Sequence, residues 1–218
     1  MSTIIELDGL SYKASDKVIL SDIDLNVSKG DFLSITGPSG SGKSTLLKIV
    51  ASLLSKSSGS FYFEGKAIEE IDPVTYRKAV SYCFQSPVLF GETVSDNLSF
   101  PFKIRNVDFD KDRAEKMLAS VGLEPIYLDK KITELSGGEK QRVALIRNII
   151  FTPKVLLLDE VTSALDEENR KIIWKWLHSI YDAGDLTILM VSHNQEEAQL
   201  APHSIEIKNG KITERRGF

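Results

Sequence analysis

The chain has 218 residues, 42% hydrophobic and 27% charged, and its 27 Lys and Arg against 31 Asp and Glu leave a formal charge of −4. That is the balance of an ordinary globular domain, and it lacks the basic block by which nucleic-acid binders neutralise phosphates. Cys83 is the single cysteine, which excludes an internal disulfide; in the apolar run Val80-Ser81-Tyr82-Cys83-Phe84 it is expected to be a small buried hydrophobe, not a reactive thiol.

The first ten residues carry no basic region followed by an apolar stretch, so no secretory signal is expected. No apolar run approaches the roughly 18–20 residues of a membrane helix, so a membrane role would go through a partner.

In chain order, Thr3–Leu7, Val18–Val27 and Phe32–Thr36 read as strands, punctuated by Asp8-Gly9 and Lys29-Gly30. A helix follows Gly42, and Gly59 to Gly65 is hairpin-like. Asp72-Pro73 has the cap and first-position proline of a helix start. Residues 86–132 carry Pro87, Pro101 and Pro125 and read as a mostly helical insert into a core formed by 1–85 and 133–218. Within it, Asp108–Val121 places Ala114, Met117, Leu118 and Val121 on one stripe. Asp166–Ala183 does the same with Ile173, Trp176, Leu177 and Ile180, capped by Asp166 and closed by Gly184. The end reads as a hairpin, Ser204–Ile207 and Lys211–Glu214, joined at Asn209-Gly210.

Four short apolar runs, Phe32–Thr36, Val80–Phe84, Val155–Leu158 and Leu186–Val191, fit strands buried on both faces of a parallel sheet. Each leads at once into special residues: Gly37-Pro38-Ser39-Gly40-Ser41-Gly42-Lys43-Ser44-Thr45, then Gln85, then Asp159-Glu160, then Ser192-His193. In open α/β sheets ligands bind beyond the carboxyl ends of strands, so four ends point to one place.

The first of these satisfies G-x-x-x-x-G-K-[ST]. Its glycines let successive amides face the phosphates of a nucleotide, Lys43 reaches β- and γ-oxygens, and the Ser44 hydroxyl ligates Mg²⁺. Asp159 after four aliphatic residues can hold Mg²⁺ directly or through water, and Glu160 can act as general base on an attacking water. Read apart from the glycine loop, the two acids could merely cap the segment after the strand. Gln85 could bridge metal and water, and His193 could bond the γ-phosphate, although either residue alone at a strand end is more often structural. Leu135-Ser136-Gly137-Gly138-Glu139 opens another helix; a Ser-x-x-Glu capping box accounts for Ser136 and Glu139 but not for two glycines at a helix start, which suit a second anion site.

Together, GPSGSGKST, LSGGEKQR, VLLLDE and SALD (Ser163–Asp166) resemble the ATP-binding cassette family across essentially the whole chain. The resemblance implies a P-loop NTPase α/β core with a mostly parallel sheet, an N-terminal antiparallel β subdomain and a helical insert. It implies Mg-ATP hydrolysis with Gln85 and His193 as Q-loop and switch histidine, and Tyr12 stacking on adenine. It also implies a head-to-tail pair of copies, with each ATP between Lys43 of one and Ser136-Gly137-Gly138 of the other. Val161 and Asn194 replace the family's usual proline and aspartate, and neither change removes a catalytic group.

Val80 to Asn106, VSYCFQSPVLFGETVSDNLSFPFKIRN, is similar to ATP-binding subunits of FetAB-type bacterial iron exporters. The expected protein is therefore an ATPase peripheral on the inner face of the cell membrane. It would energise an integral membrane permease, with metal-ion export as the transport reading, and bind no nucleic acid. Pro87, Val88, Leu89, Phe90 and Phe102 are expected either to form an apolar socket for that partner or to be core of the insert. The rival classes are a soluble ABC-type ATPase of DNA or ribosomes and a small-molecule P-loop kinase. The first would bring a coiled coil or a second cassette, and the second would lack Leu135–Glu139.

Overall fold

Alternating apolar residues set the first two strands. The computed structural model describes residues 2–184 and 186–217, the side chain of Gln195 excepted. In chain order the elements are β1 (Thr3–Ala14), β2 (Lys17–Ser28), β3 (Phe32–Thr36), α1 (Lys43–Val50), β4 (Ser58–Phe63), β5 (Lys66–Ala67), α2 (Pro73–Ala79), β6 (Val80–Cys83), α3 (Val94–Lys103), α4 (Lys111–Ser120), α5 (Gly137–Ile149), β7 (Val155–Asp159), α6 (Glu167–Tyr181), β8 (Thr187–Val191), α7 (Gln195–Ala198), β9 (His203–Lys208) and β10 (Lys211–Arg216). They fall into two compact units, the first comprising Met1–Tyr82, Lys154–Glu160 and Gly184–Phe218, and the second Cys83–Pro153 and Val161–Ala183.

In the first unit, β1 and β2 pair antiparallel in the register Ile5↔Val27 and Leu7↔Leu25, and a four-stranded sheet runs in the order β2-β1-β4-β5. Ile5, Leu7, Leu20, Ile23, Leu25 and Val27 all point into the core. β1 does not stop at Leu7. Gly9 takes φ 56°, and the register slips between Leu7 and Leu10, so the expected turn at Asp8-Gly9 is a bulge within a longer strand.

A second sheet has the order β10-β9-β3-β8-β7-β6. β3, β7, β8 and β9 run parallel as neighbours, and every residue of β7 and β8 is buried, as continuous apolar runs require. α1 packs against β7 and β8, burying Leu46, Leu47, Ile49 and Val50. The C-terminal hairpin turns at Asn209-Gly210, whose φ values of 49° and 74° suit a primed turn. Its first strand also joins β3 in parallel, Leu33↔His203, and so extends the main sheet.

The second unit is helical. Thr93 and Asp96 close a capping box on α3, and α3 and α4 both pack on α5. Residues 86–132 lie in this unit together with α5 and α6. Pro101 sits inside α3 and not in a loop: the helix continues past it through Ile104 N–H to Phe100 carbonyl at 3.1 Å, and the proline ring is buried. α4 begins after Asp110, not Asp108, because a cap must reach the amide three residues on, and the Asp110 carboxylate accepts from Arg113 N–H at 2.9 Å. Its stripe buries Ala114, Leu118 and Val121, with Met117 at the margin. Asp166 caps α6 through Asn169 N–H at 2.8 Å, and Ile173, Trp174, Trp176 and Leu177 are buried. Cys83 is buried, which pushes its thiol pKa up to about 12 against the opposing charge of Arg147.

Candidate active site

Glycine geometry builds the first part of the site. Gly37 at φ 133° lies where a Cβ would stand 2.1 Å from the Ile207 carbonyl oxygen, so no side chain fits there. Gly42 caps α1 at φ 108°, and a Cβ there would meet Leu20 Cδ2 at 2.6 Å. Gly40, at φ 74°, faces open space. Between them the loop turns tightly, with Ser41 N–H donating to the Pro38 carbonyl at 3.3 Å, and delivers Lys43 to the first position of α1.

Lys43 is 4% exposed. Its ammonium donates to the carbonyls of Gly37 at 2.9 Å and Pro38 at 2.8 Å. Burial lowers its pKa, and the carboxylates of Glu160 and Asp159 work the other way. The Ser41 hydroxyl is buried and finds no partner among the described residues.

The ends of β7 and β8 supply the rest. Ser44 donates its hydroxyl to Asp159 Oδ1 at 2.8 Å, and Tyr82 donates to Asp159 Oδ2 at 2.5 Å. Glu160 occupies left-handed backbone at φ 51°, costly for a side-chain-bearing residue. Its N–H is anchored to the Val191 carbonyl at 3.0 Å, and its Oε1 lies 2.7 Å from His193 Nε2. Beside His193 in the chain, Ser192 donates to Glu197 Oε2 at 2.6 Å and accepts from Asn194 N–H at 3.0 Å. Lys43, Ser44, Asp159, Glu160 and His193, singled out in the sequence, thus share one unit, with Lys43 on the loop carbonyls, Ser44 on Asp159 and His193 on Glu160.

Tyr82 was not anticipated. It lies directly before Cys83 in a run that reads as a strand buried on both faces, and nothing local announces that its hydroxyl meets β7. Tyr12 is half-buried against the apolar core of the first unit, opposite Leu20.

Gln85 and Ser136–Glu139 belong to the second unit. Gln85 Nε2 donates to Ser163 Oγ at 3.3 Å. The capping box forms as expected, Glu139 N–H to Ser136 Oγ at 3.3 Å and Ser136 N–H to Glu139 Oε2 at 2.7 Å. The two glycines differ. A Cβ on Gly138 would stand 2.6 Å from the Asn169 side chain, whereas one on Gly137 would meet nothing within 4 Å. Packing therefore accounts for the first and leaves the second facing an open approach.

Of the expected socket, Phe102 is buried against Phe109 and Phe151, so it is core. Val88 and Phe90 are exposed at 61% and 39%. No helix among the described residues is long and apolar enough to cross a membrane.

A family model described as ABC transporter matches residues 20–163. The chain is 46% identical over 217 residues to the "probable iron export ATP-binding protein FetA" of Escherichia coli (strain K12), covering 96% of each. It is 38% identical over 215 residues to the spermidine/putrescine import ATP-binding protein PotA of Spiroplasma citri, covering 97% of this chain and 61% of that one. Among solved structures, an ATP-binding cassette captured as a dimer in a post-hydrolysis state with ADP and Pi superposes with a TM-score of 0.88 at 29% identity, covering 99% of both chains. These likenesses favour the transporter reading over the DNA- or ribosome-acting alternative. The glycine loop, the strand-end acids and the matched family lead to one conclusion: the chain belongs to the ABC transporter family, as one of its ATP-binding, ATP-hydrolysing subunits.

Proposed function

We propose that the chain hydrolyses Mg-ATP between two head-to-tail copies of itself and so drives an integral membrane permease for metal-ion (iron) export. The observation that carries the catalytic reading is that the Ser44–Asp159 and His193–Glu160 pairs form in the same unit as the buried Lys43. The ammonium of Lys43 is held by neutral carbonyls, partners that phosphate oxygens can replace with stronger charge-assisted bonds. The orphaned Ser41 hydroxyl and the free approach at Gly40 suit the same anion.

The hydroxyl and carboxylate pair of Ser44 and Asp159 fits magnesium, which takes few protein ligands and completes its shell with phosphate and water. Held by Ser44 and Asp159, magnesium would supply positive charge to neutralise that of the phosphates. Gln85 would be a further ligand to that magnesium. Glu160, fixed by its strained backbone, takes the proton of the attacking water. The neighbouring His193 orients that carboxylate and reaches the γ-phosphate.

Tyr12 supplies the adenine platform. Ser136, Gly137 and Gly138 of the opposite copy close the site, with the open face of Gly137 admitting the phosphates. The permease holds the chain at the inner face of the membrane, and no nucleic acid takes part. Iron export follows the 46% identity to the Escherichia coli protein.

Glu160→Gln tests the catalytic reading. Phosphate release should fall about 10²–10⁴-fold, the usual weight of a general base, while size-exclusion chromatography with saturating ATP shows a stable dimer. A variant that turns over normally, or stays monomeric with ATP bound, overturns the assignment. Cells lacking the chain should accumulate iron; unchanged iron with altered polyamine content would instead select import of the PotA kind.

A further inference from the structure

We infer that Tyr82 is a positioning residue whose hydroxyl sets the orientation of the Asp159 carboxylate and, through it, the affinity for magnesium. The inference rests on the reading of Asp159 and Ser44 as the metal-holding pair. A carboxylate at a strand end turns easily, because the terminal torsion of an aspartate is broad and roughly two-fold. Here it is bonded at both oxygens, by two unlike partners. Ser44 stands at the second position of α1 and gives Oδ1 a small hydroxyl that can swing away. Tyr82 gives Oδ2 a phenol at 2.5 Å, carried on a ring in the same apolar cluster as Val155 and Leu157. Tyr82 is 9% exposed and Asp159 6%, so water does not readily replace that bond.

The consequence is directional. With Oδ2 pinned, Oδ1 is the oxygen left to exchange its partner, and it already faces Ser44. Magnesium demands near-ideal octahedral geometry and tolerates a misaimed ligand poorly. A phenol also leaves the carboxylate its full negative charge, since a neutral donor orients without forming an ion pair. Outer-shell partners of this kind typically account for about 10–100-fold in metal affinity. If the hydroxyl did no more than satisfy a buried oxygen, its loss would lower stability and leave the metal response alone.

Calorimetric titration of ATP into the full chain, across a magnesium series and in EDTA, separates the two. In Tyr82→Phe, and in Tyr82→Met as a second apolar replacement, half-saturating magnesium should rise about tenfold or more, with ATP affinity in EDTA within about twofold of native. Magnesium curves that superpose on the native curve, in variants that melt cooperatively above the assay temperature, overturn the role of Tyr82. Asp159→Asn is run beside them. If it too keeps the native magnesium dependence, the metal-holding pair itself is misassigned, a failure distinct from that of Tyr82 alone.

Discussion

Burial works against ionisation of Glu139, but the Tyr127 hydroxyl at 2.6 Å, the Ser136 N–H at 2.7 Å, the Ser136 side chain and the Lys130 ammonium outweigh it and bring the carboxyl to about 2. A folded pKa below the ordinary glutamate value means that the stabilisation is complete above that ordinary value and drains away as pH falls toward about 2. Glu139→Gln should therefore cost about 1–3 kcal/mol near neutral pH, and the gap to native should narrow steadily below about pH 4.5, as read by urea unfolding at several pH values. A penalty independent of pH would show that geometry, not charge, makes the cap. The Ser-x-x-Glu spacing made the cap legible in the sequence, whereas Tyr127 and Lys130 were not, because their contribution depends on how the preceding turn folds back. The strand-end acids follow the same division. Asp159 and Glu160 announce themselves by following four aliphatic residues, but the Tyr82 bond and the positive φ of Glu160 are products of strand pairing that no local pattern records.

α5 meets α6 at Gly138, where a methyl group would strike Asn169. Asn169 is poorly placed to yield: its amide donates to both oxygens of Asp166, at 3.0 and 2.8 Å, and its carbonyl accepts from the buried Arg142. Gly138→Ala should thus lose about 1–3 kcal/mol to overpacking, more than offsetting the roughly 1 kcal/mol of helix propensity that alanine brings. In Gly138→Ala/Asn169→Ala the collision is removed, so denaturation should give a coupling of about 0.5–3 kcal/mol in the restoring sense; simple additivity would mean that the two side chains never compete. Among the elements, caps at Asp72, Asp166 and Ser136 were readable because each places an oxygen three residues before the amide that it bonds. Long-range pairing was not. The addition of β9 beside β3, and the continuation of β1 through a bulge at Gly9, are decided by neighbours distant in sequence. Pro101 lies inside α3, its local preference against helix overridden by the burial of its own ring.

At the scale of the molecule, Lys43, Ser44, Asp159, Glu160 and His193 lie in the first unit, and the second presents apolar surface. Phe84, Val88, Phe90, Phe100 and Ile104 are 39–61% exposed, and Phe90 meets Phe100 edge-on at 5.0 Å. Phe84 and Val88 line one small depression together with Pro87, Ala144 and Leu145. Arg147 lies over the Phe90 ring at 5.1 Å, one cation beside an otherwise apolar patch. Burying a valine and a phenylalanine against a partner is worth about 1.5–3 kcal/mol each, so losing both would weaken docking by roughly 10²–10⁴-fold. Val88→Glu/Phe100→Glu should therefore leave the ATPase of the isolated chain near native and abolish retention of the co-expressed permease on affinity purification. Val74→Glu, at a comparably exposed apolar residue of the first unit, serves as the control. Loss of permease with the double variant alone locates the docking surface in the second unit; equal loss with Val74→Glu would mean that added charge, not the lost apolar contact, breaks the complex.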